Sequence, residues 1–184
     1  VEEATALVET LAERATPPEI AWAHLVRARH AAAQGDASTA LEGARAAARR
    51  APSGDEAFAM GLIETFLRAG SATEAREHLT TLPEPPIDAS GRALLTAEVL
   101  LEAGALDEAF SALDGAEQTP RRSLLRARIL EARGQTDEAR PLYEAALAVP
   151  GPEGRHARIR LASIELDAGR ATRAIELLEP LRGE

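Results

Sequence analysis

QGDASTALEGA, at residues 34–44, is the first of five similar stretches in which a glycine is followed five residues later by an alanine. The others are AGSATEAREHL (69–79), AGALDEAFSAL (103–113), RGQTDEARPLY (133–143) and AGRATRAIELL (168–178). Successive glycines are separated by 35, 34, 30 and 35 residues. A regular interval of this size indicates a chain built from repeated supersecondary units.

Each stretch predicts a turn between two helices. Glycine ends a helix at low cost because it adopts the left-handed conformation without a Cβ clash. We expect two further positions to meet where the helices cross, because small side chains let helix axes approach closely. Seven residues before the glycines lie Ala28, Ile63, Ala97, Ala127 and Ala162, and five residues after them lie Ala40, Ala75, Ala109, Ala139 and Ala174. The far end of each repeat, near its junction with the next one, contains a proline: Pro52, Pro83, Pro120, Pro150 or Pro180.

Composition favours the same all-helical fold. The 184 residues include 41 Ala and 24 Leu, against 24 Val, Ile and Thr together, so a large sheet is excluded. All 21 basic residues are Arg, and the chain has no Lys and no Cys. Enzyme classes that need a phosphate-loop lysine, a Schiff-base lysine or a thiolate are therefore excluded, as are disulfides and Cys-ligated metals.

The glycines, the small residues, the alanines and the closing prolines at these offsets resemble the tetratricopeptide repeat over residues 18 to 182. The family's second-helix aromatic is retained only at Tyr143. The resemblance implies an all-α fold, a right-handed α–α superhelix of about five helix-turn-helix repeats after an N-terminal helix. We expect one solenoid domain over residues 1–184, excised from a larger protein because it begins with Val1. Its predicted parts are an N-terminal helix at 1–16 and repeats at 18–52, 53–86, 87–119, 120–150 and 151–182.

Catalysis, metals and cofactors find no support in the residue patterns. The four histidines lack the helical spacing of a zinc protease, and no glycine-rich phosphate loop is present. Carboxylate pairs such as Asp107 with Glu108 open second helices, where acidic groups stabilise a helix N-terminus. We therefore predict a non-enzyme with no cofactor and no metal.

The overall charge restricts the partners. A net charge of −9 argues against nucleic acid, and no apolar run is long enough to span a membrane. The compartment is not determined, with the cytoplasm favoured and the periplasm left open. We predict a protein or peptide partner.

The resemblance implies that first-helix side chains line a concave groove that holds a partner segment. The candidate partner-binding residues are Trp22, Leu25, Arg29, Met60, Glu64, Leu94, Glu98, Arg121, Arg128 and His156. The groove is mainly apolar, so we expect an apolar or amphipathic segment. Its acidic part would meet the basic fourth and fifth first helices, which carry Arg121, Arg122, Arg126, Arg128, Arg155, Arg158 and Arg160.

The leading hypothesis is a non-catalytic interaction scaffold that binds a partner segment along the concave face. Two alternatives stay open. One is a sensory or autoregulatory module of a larger bacterial regulator, as the resemblance allows. The other is self-association into a homo-oligomer, which the uneven charge distribution and the C-terminal helix pair favour.

Overall fold

The computed structural model describes residues 16–84 and 86–182. Packing divides the chain into two compact units, residues 1–105 and 106–184. The predicted N-terminal helix at 1–16 lies almost wholly outside the described residues. The prediction of a single domain over residues 1–184 stays a prediction.

The first unit contains two helix pairs followed by one further helix. The first pair packs on the second, and the last helix packs on both members of the second pair. The helices are α1 (Pro17–Ala33), α2 (Ala37–Ala48), α3 (Glu56–Arg68), α4 (Ala72–Leu79) and α5 (Ala89–Glu102). Their shared core contains Leu25, Phe58, Leu62, Phe66 and Leu95.

The second unit begins with a short helix and continues with two helix pairs. The helices are α6 (Leu106–Ala112), α7 (Pro120–Ala132), α8 (Thr136–Ala146), α9 (Pro152–Asp167) and α10 (Ala171–Leu178), with 3₁₀ turns at Leu113–Gly115 and Glu179–Leu181. Its core runs from Leu124 and Tyr143 through Leu161 to Leu177. No β-strand occurs in residues 16–84 and 86–182, and the prediction of an all-α fold of paired helices is confirmed.

The glycine turns have the predicted left-handed geometry, with φ between 74° and 81° at Gly35, Gly70, Gly104, Gly134 and Gly169. At the end of α7, the Gly134 N–H donates to the Glu131 carbonyl at 2.9 Å and the Gln135 N–H donates to the Leu130 carbonyl at 2.9 Å. These bonds satisfy carbonyls that the helix itself leaves unpaired. The same device ends the first helix of each pair.

The predicted crossing residues are buried. Ala28, Ala97 and Ala127 are fully inaccessible, as are Ala40, Ala75, Ala109 and Ala139, while Ala162 and Ala174 are 1% exposed. Ile63, the exception in the sequence pattern, is inaccessible too. Within each pair, at least one small side chain at the crossing permits the close approach of the two helices.

Candidate interaction surface

The first helices form a layer in each unit. In the first unit α1 packs on α3 and α3 packs on α5, and in the second unit α7 packs on α9. Residues that occupy the same distance from the turn glycine therefore fall in rows across these helices. We call the outer surface of each layer its first-helix face; it carries Trp22, Arg29, Met60, Glu64 and Glu98 in the first unit and Arg121, Arg128 and His156 in the second.

The row six residues before the glycine is polar. In the first unit it consists of Arg29, Glu64 and Glu98. Arg29 Nη2 lies 3.9 Å from Glu64 Oε2, and the two side chains remain 46% and 34% exposed. An ion pair as exposed as this contributes little to stability, so both charges can be redirected to a partner at small cost.

The row ten residues before the glycine is largely apolar and mostly buried. Leu25 is inaccessible and Leu94 is 7% exposed, whereas Met60 is half-buried against the core of the first unit. Leu25 and Leu94 therefore use their side chains in packing within the protein, and their contact with a partner stays a prediction. Met60 keeps part of its surface on the first-helix face.

Trp22 joins α1 to the start of α3. Its ring packs edge-on against Phe58 with centroids 5.2 Å apart, and its Nε1 donates to Asp55 Oδ2 at 3.3 Å. Asp55 also accepts from the Phe58 N–H at 2.9 Å and thereby caps α3. The indole is half-buried, so it has a structural role and keeps part of its surface accessible.

The predicted basic surface of the second unit is smaller than the sequence indicated. Arg121 is exposed, Arg128 is half-buried and His156 is exposed. Arg122 instead turns inward, where its Nε donates to the Leu113 carbonyl at 3.0 Å. Two further arginines of the predicted set are also engaged within the unit, since Arg158 binds the Leu147 carbonyl and Arg160 binds Glu131.

A partly buried hydrogen-bond network between α7, α8 and α9 was not predicted from the sequence. The Tyr143 hydroxyl donates to Glu131 Oε2 at 2.7 Å, and Arg160 Nε donates to the same oxygen at 3.1 Å. Burial, and then the hydrogen bond to the Glu131 carboxylate, raise the pKa of the Tyr143 phenol above its usual value. The only signal in the sequence was that Tyr143 is the single retained aromatic of the second helices.

Two buried carboxylates are likewise committed to internal contacts. Glu56 is 3% exposed and accepts from the Ile87 N–H at 2.6 Å and from Arg92 Nη2 at 2.7 Å. The Ile87 bond, followed by Arg92, lowers the pKa of the Glu56 carboxyl. Glu165 is 4% exposed and binds Arg170 and Arg140, which lower its pKa in that order. Ionised carboxylates held by two donors are poorly suited to proton transfer near neutral pH.

In the described part of the chain, no three His, Asp or Glu side chains lie close enough together to hold a metal ion. Within the same residues, each helix is too short or too polar to traverse a lipid bilayer.

Helix pairs in which a left-handed glycine ends the first helix, and which cross at alanines, define an α-helical repeat protein. The family model described as tetratricopeptide repeat matches residues 25–89 and 124–181, which is well over half of the chain. The chain belongs to the tetratricopeptide repeat family. Such repeats generally mediate protein–protein interaction and are typically non-catalytic. No curated protein matches the chain.

Proposed function

We propose that the protein is a non-catalytic scaffold that binds a segment of a partner protein on its first-helix faces. The observation that carries this proposal is the row of Arg29, Glu64 and Glu98, which places accessible charges at one register on three neighbouring helices. Polar groups arranged around a partly apolar floor give register and specificity to a bound segment. The accessible parts of Met60 and Trp22, both half-buried, supply the apolar part.

The two faces favour different partner chemistry. Both signs of charge are present in the first unit, where Arg29 faces Glu64. Arg121 and Arg128 make the face of the second unit basic, and the exposed His156 lies on the same face. An amphipathic segment with charges of both signs fits the first unit, and an acidic segment fits the second unit, because arginine binds carboxylates through two parallel hydrogen bonds.

Affinity capture with the full chain, followed by titration of the captured protein, tests the proposal. Arg128→Glu and Glu98→Arg reverse one charge on each face. We expect either change to weaken partner binding by about tenfold, which corresponds to about 1.4 kcal/mol. Binding to the unaltered chain should also weaken as salt is raised from about 50 to about 500 mM, because screening shortens the reach of these charges.

Arg173→Glu is the matched control. Arg173 is exposed on α10, the second helix of its pair and therefore away from the first-helix face, and its ion pair with Glu176 joins two residues of that same helix. The control should bind as tightly as the unaltered chain. A captured partner whose affinity is indifferent to both reversals, or lost equally in the control, contradicts binding on the first-helix faces. Circular dichroism of each variant separates loss of binding from loss of fold.

A further inference from the structure

Apolar side chains are exposed on the last helix pair of the described chain, outside the first-helix face residues named above. Leu166 on α9 is 53% exposed, and Ile175 and Leu178 on α10 are 65% and 36% exposed. We call these three residues the α9–α10 face. Exposed large aliphatic side chains that cluster on one surface commonly mark an interaction site.

The preceding helix pair carries an equivalent face, and the structure shows what covers it there. Gly134 and Gly169 are 35 residues apart, so Leu166, Ile175 and Leu178 correspond to Glu131, Arg140 and Tyr143 of the preceding pair. The structure covers that preceding set with the helix α9. Tyr143 is inaccessible there, Arg160 of α9 binds Glu131, and Glu165 of α9 binds Arg140. The α9–α10 face therefore continues an established helix interface by one repeat.

The α9–α10 face and the equivalent face of the preceding pair, α7 and α8, differ in charge. In the preceding pair, Glu131 and Arg140 form ion pairs with Arg160 and Glu165 of α9. The α9–α10 face presents Leu166 and Ile175 at the same positions. A helix with the charges of α9 would bury Arg160 and Glu165 equivalents against aliphatic side chains, which is costly without partners.

The first unit contains an apolar version of the same interface. There, the corresponding positions are Ala32, Leu41 and Ala44. Ala44 is inaccessible and lies in one core cluster with residues of α3, and Leu41 packs against that cluster. In α3, the positions equivalent to Arg160 and Glu165 are Gly61 and Phe66. An apolar receiving surface is thus matched by an apolar helix within this chain.

The helix α3 also gives the spacing of the contact residues. Phe58, Leu62 and Phe66 are each at most 2% exposed and lie at i, i+4 and i+8. A Cβ on Gly61 would already lie 3.5 Å from Leu25 Cδ2, so the helix approaches closely at this small residue. Such spacing produces one apolar stripe along a helix.

We propose that the α9–α10 face binds an amphipathic α-helix of a partner protein, with apolar residues at i, i+4 and i+8 and a small residue at i+3. This helix resembles α3 and differs from α9 at the two positions where α9 is charged. The site is separate from the first-helix faces proposed above, and each can be tested without the other.

Two peptides taken from the chain itself serve as probes, each with blocked ends. One carries residues 55–68, DEAFAMGLIETFLR, and the other carries residues 151–167, GPEGRHARIRLASIELD. We expect the unaltered chain to bind the first peptide about tenfold more tightly than the second. The double variant Leu166→Glu, Ile175→Arg recreates the charges of the preceding pair, and we expect it to reverse this preference.

Ser163→Glu with Thr172→Arg is the matched control, because it adds the same charges to exposed positions on the same two helices. It should retain the preference for the first peptide. That peptide could also displace the chain's own α3, but binding of this kind would be unaffected by changes at Leu166 and Ile175. A preference that survives the Leu166→Glu, Ile175→Arg change therefore overturns the proposal.

Light scattering tests whether a second copy of the chain occupies the face instead. A dimer that the Leu166→Glu, Ile175→Arg variant abolishes, together with no binding of either peptide, overturns the proposal and assigns the face to self-association. Equal binding of the two peptides also overturns it, because the face would then lack the selectivity inferred from Leu166 and Ile175.

Discussion

Replacing Tyr143 with Phe tests the hydrogen-bond network that joins α7, α8 and α9. The change keeps the ring and removes only the hydroxyl, which donates to Glu131 at 2.7 Å. A hydrogen bond to a charged group contributes about 1.5–3 kcal/mol. We expect a loss of about 1.5 kcal/mol, the lower end of this range, because Glu131 keeps its bonds from Arg160. With a urea dependence of about 1–3 kcal/mol per molar, the unfolding midpoint should fall by roughly 0.5–1.5 M.

Tyr143 also determines how the stability of the fold changes at alkaline pH. The chain has no Lys and no Cys, and Tyr143 is its single tyrosine. Because the native pKa of the phenol is raised, the native state holds the proton more tightly than the unfolded state does. This contribution to stability is complete below about pH 10 and declines as the pH rises through the native pKa.

Urea unfolding followed by circular dichroism at increasing pH measures this contribution. The unaltered protein should lose stability above about pH 10, and the gap between it and the Tyr143→Phe variant should shrink there. Ultraviolet absorbance measures tyrosinate directly. Tyrosinate should form in the native protein at a higher pH than in the protein unfolded by concentrated urea. Ionisation at the ordinary pKa with the fold intact would refute the buried, Glu131-bound hydroxyl.

Three further predictions concern the helix crossing, the glycine turn and the buried carboxylate of Glu165. Ala139→Leu should destabilise the protein by about 1–3 kcal/mol, because the inaccessible alanine leaves no room for a larger side chain; the exposed Ala145→Leu should change the urea midpoint little. Gly134→Ala should cost about 1 kcal/mol through its positive φ alone, measured as a fall in the melting temperature. Glu165 has a lowered native pKa, so its contribution is present above about pH 4.5 and lost as the pH falls through the native value; Glu165→Gln should flatten the acid side of the stability profile.

The helix pairs could be predicted because each depends on a local requirement. A left-handed residue must end the first helix, and Gly134 and its counterparts supply it. A small residue must sit at the crossing, as Ala127 and Ala139 do. Both requirements repeat at fixed offsets, so a single sequence displays them several times over.

The accessibility of individual first-helix residues could not be predicted in the same way. Leu25 and Leu94 occupy the register that the resemblance assigns to a groove, yet both are buried. Their burial depends on how closely neighbouring elements pack, which the residue's own helix does not encode. The Tyr143–Glu131–Arg160 network was missed for a related reason, since Arg160 and Glu131 are 29 residues apart and belong to different helices.

The glycine turns have one more consequence, for how such a chain can be lengthened. A Cβ placed on Gly35, Gly70 or Gly134 would have no atom of the described chain within 4 Å beyond its immediate neighbours. The tips of these turns therefore project away from the packed helices. Extra residues inserted there would extend into solvent and leave both cores untouched. We expect the turns to accept inserted loops or reporter peptides, so that new recognition elements can be added to the protein without redesigning its helices.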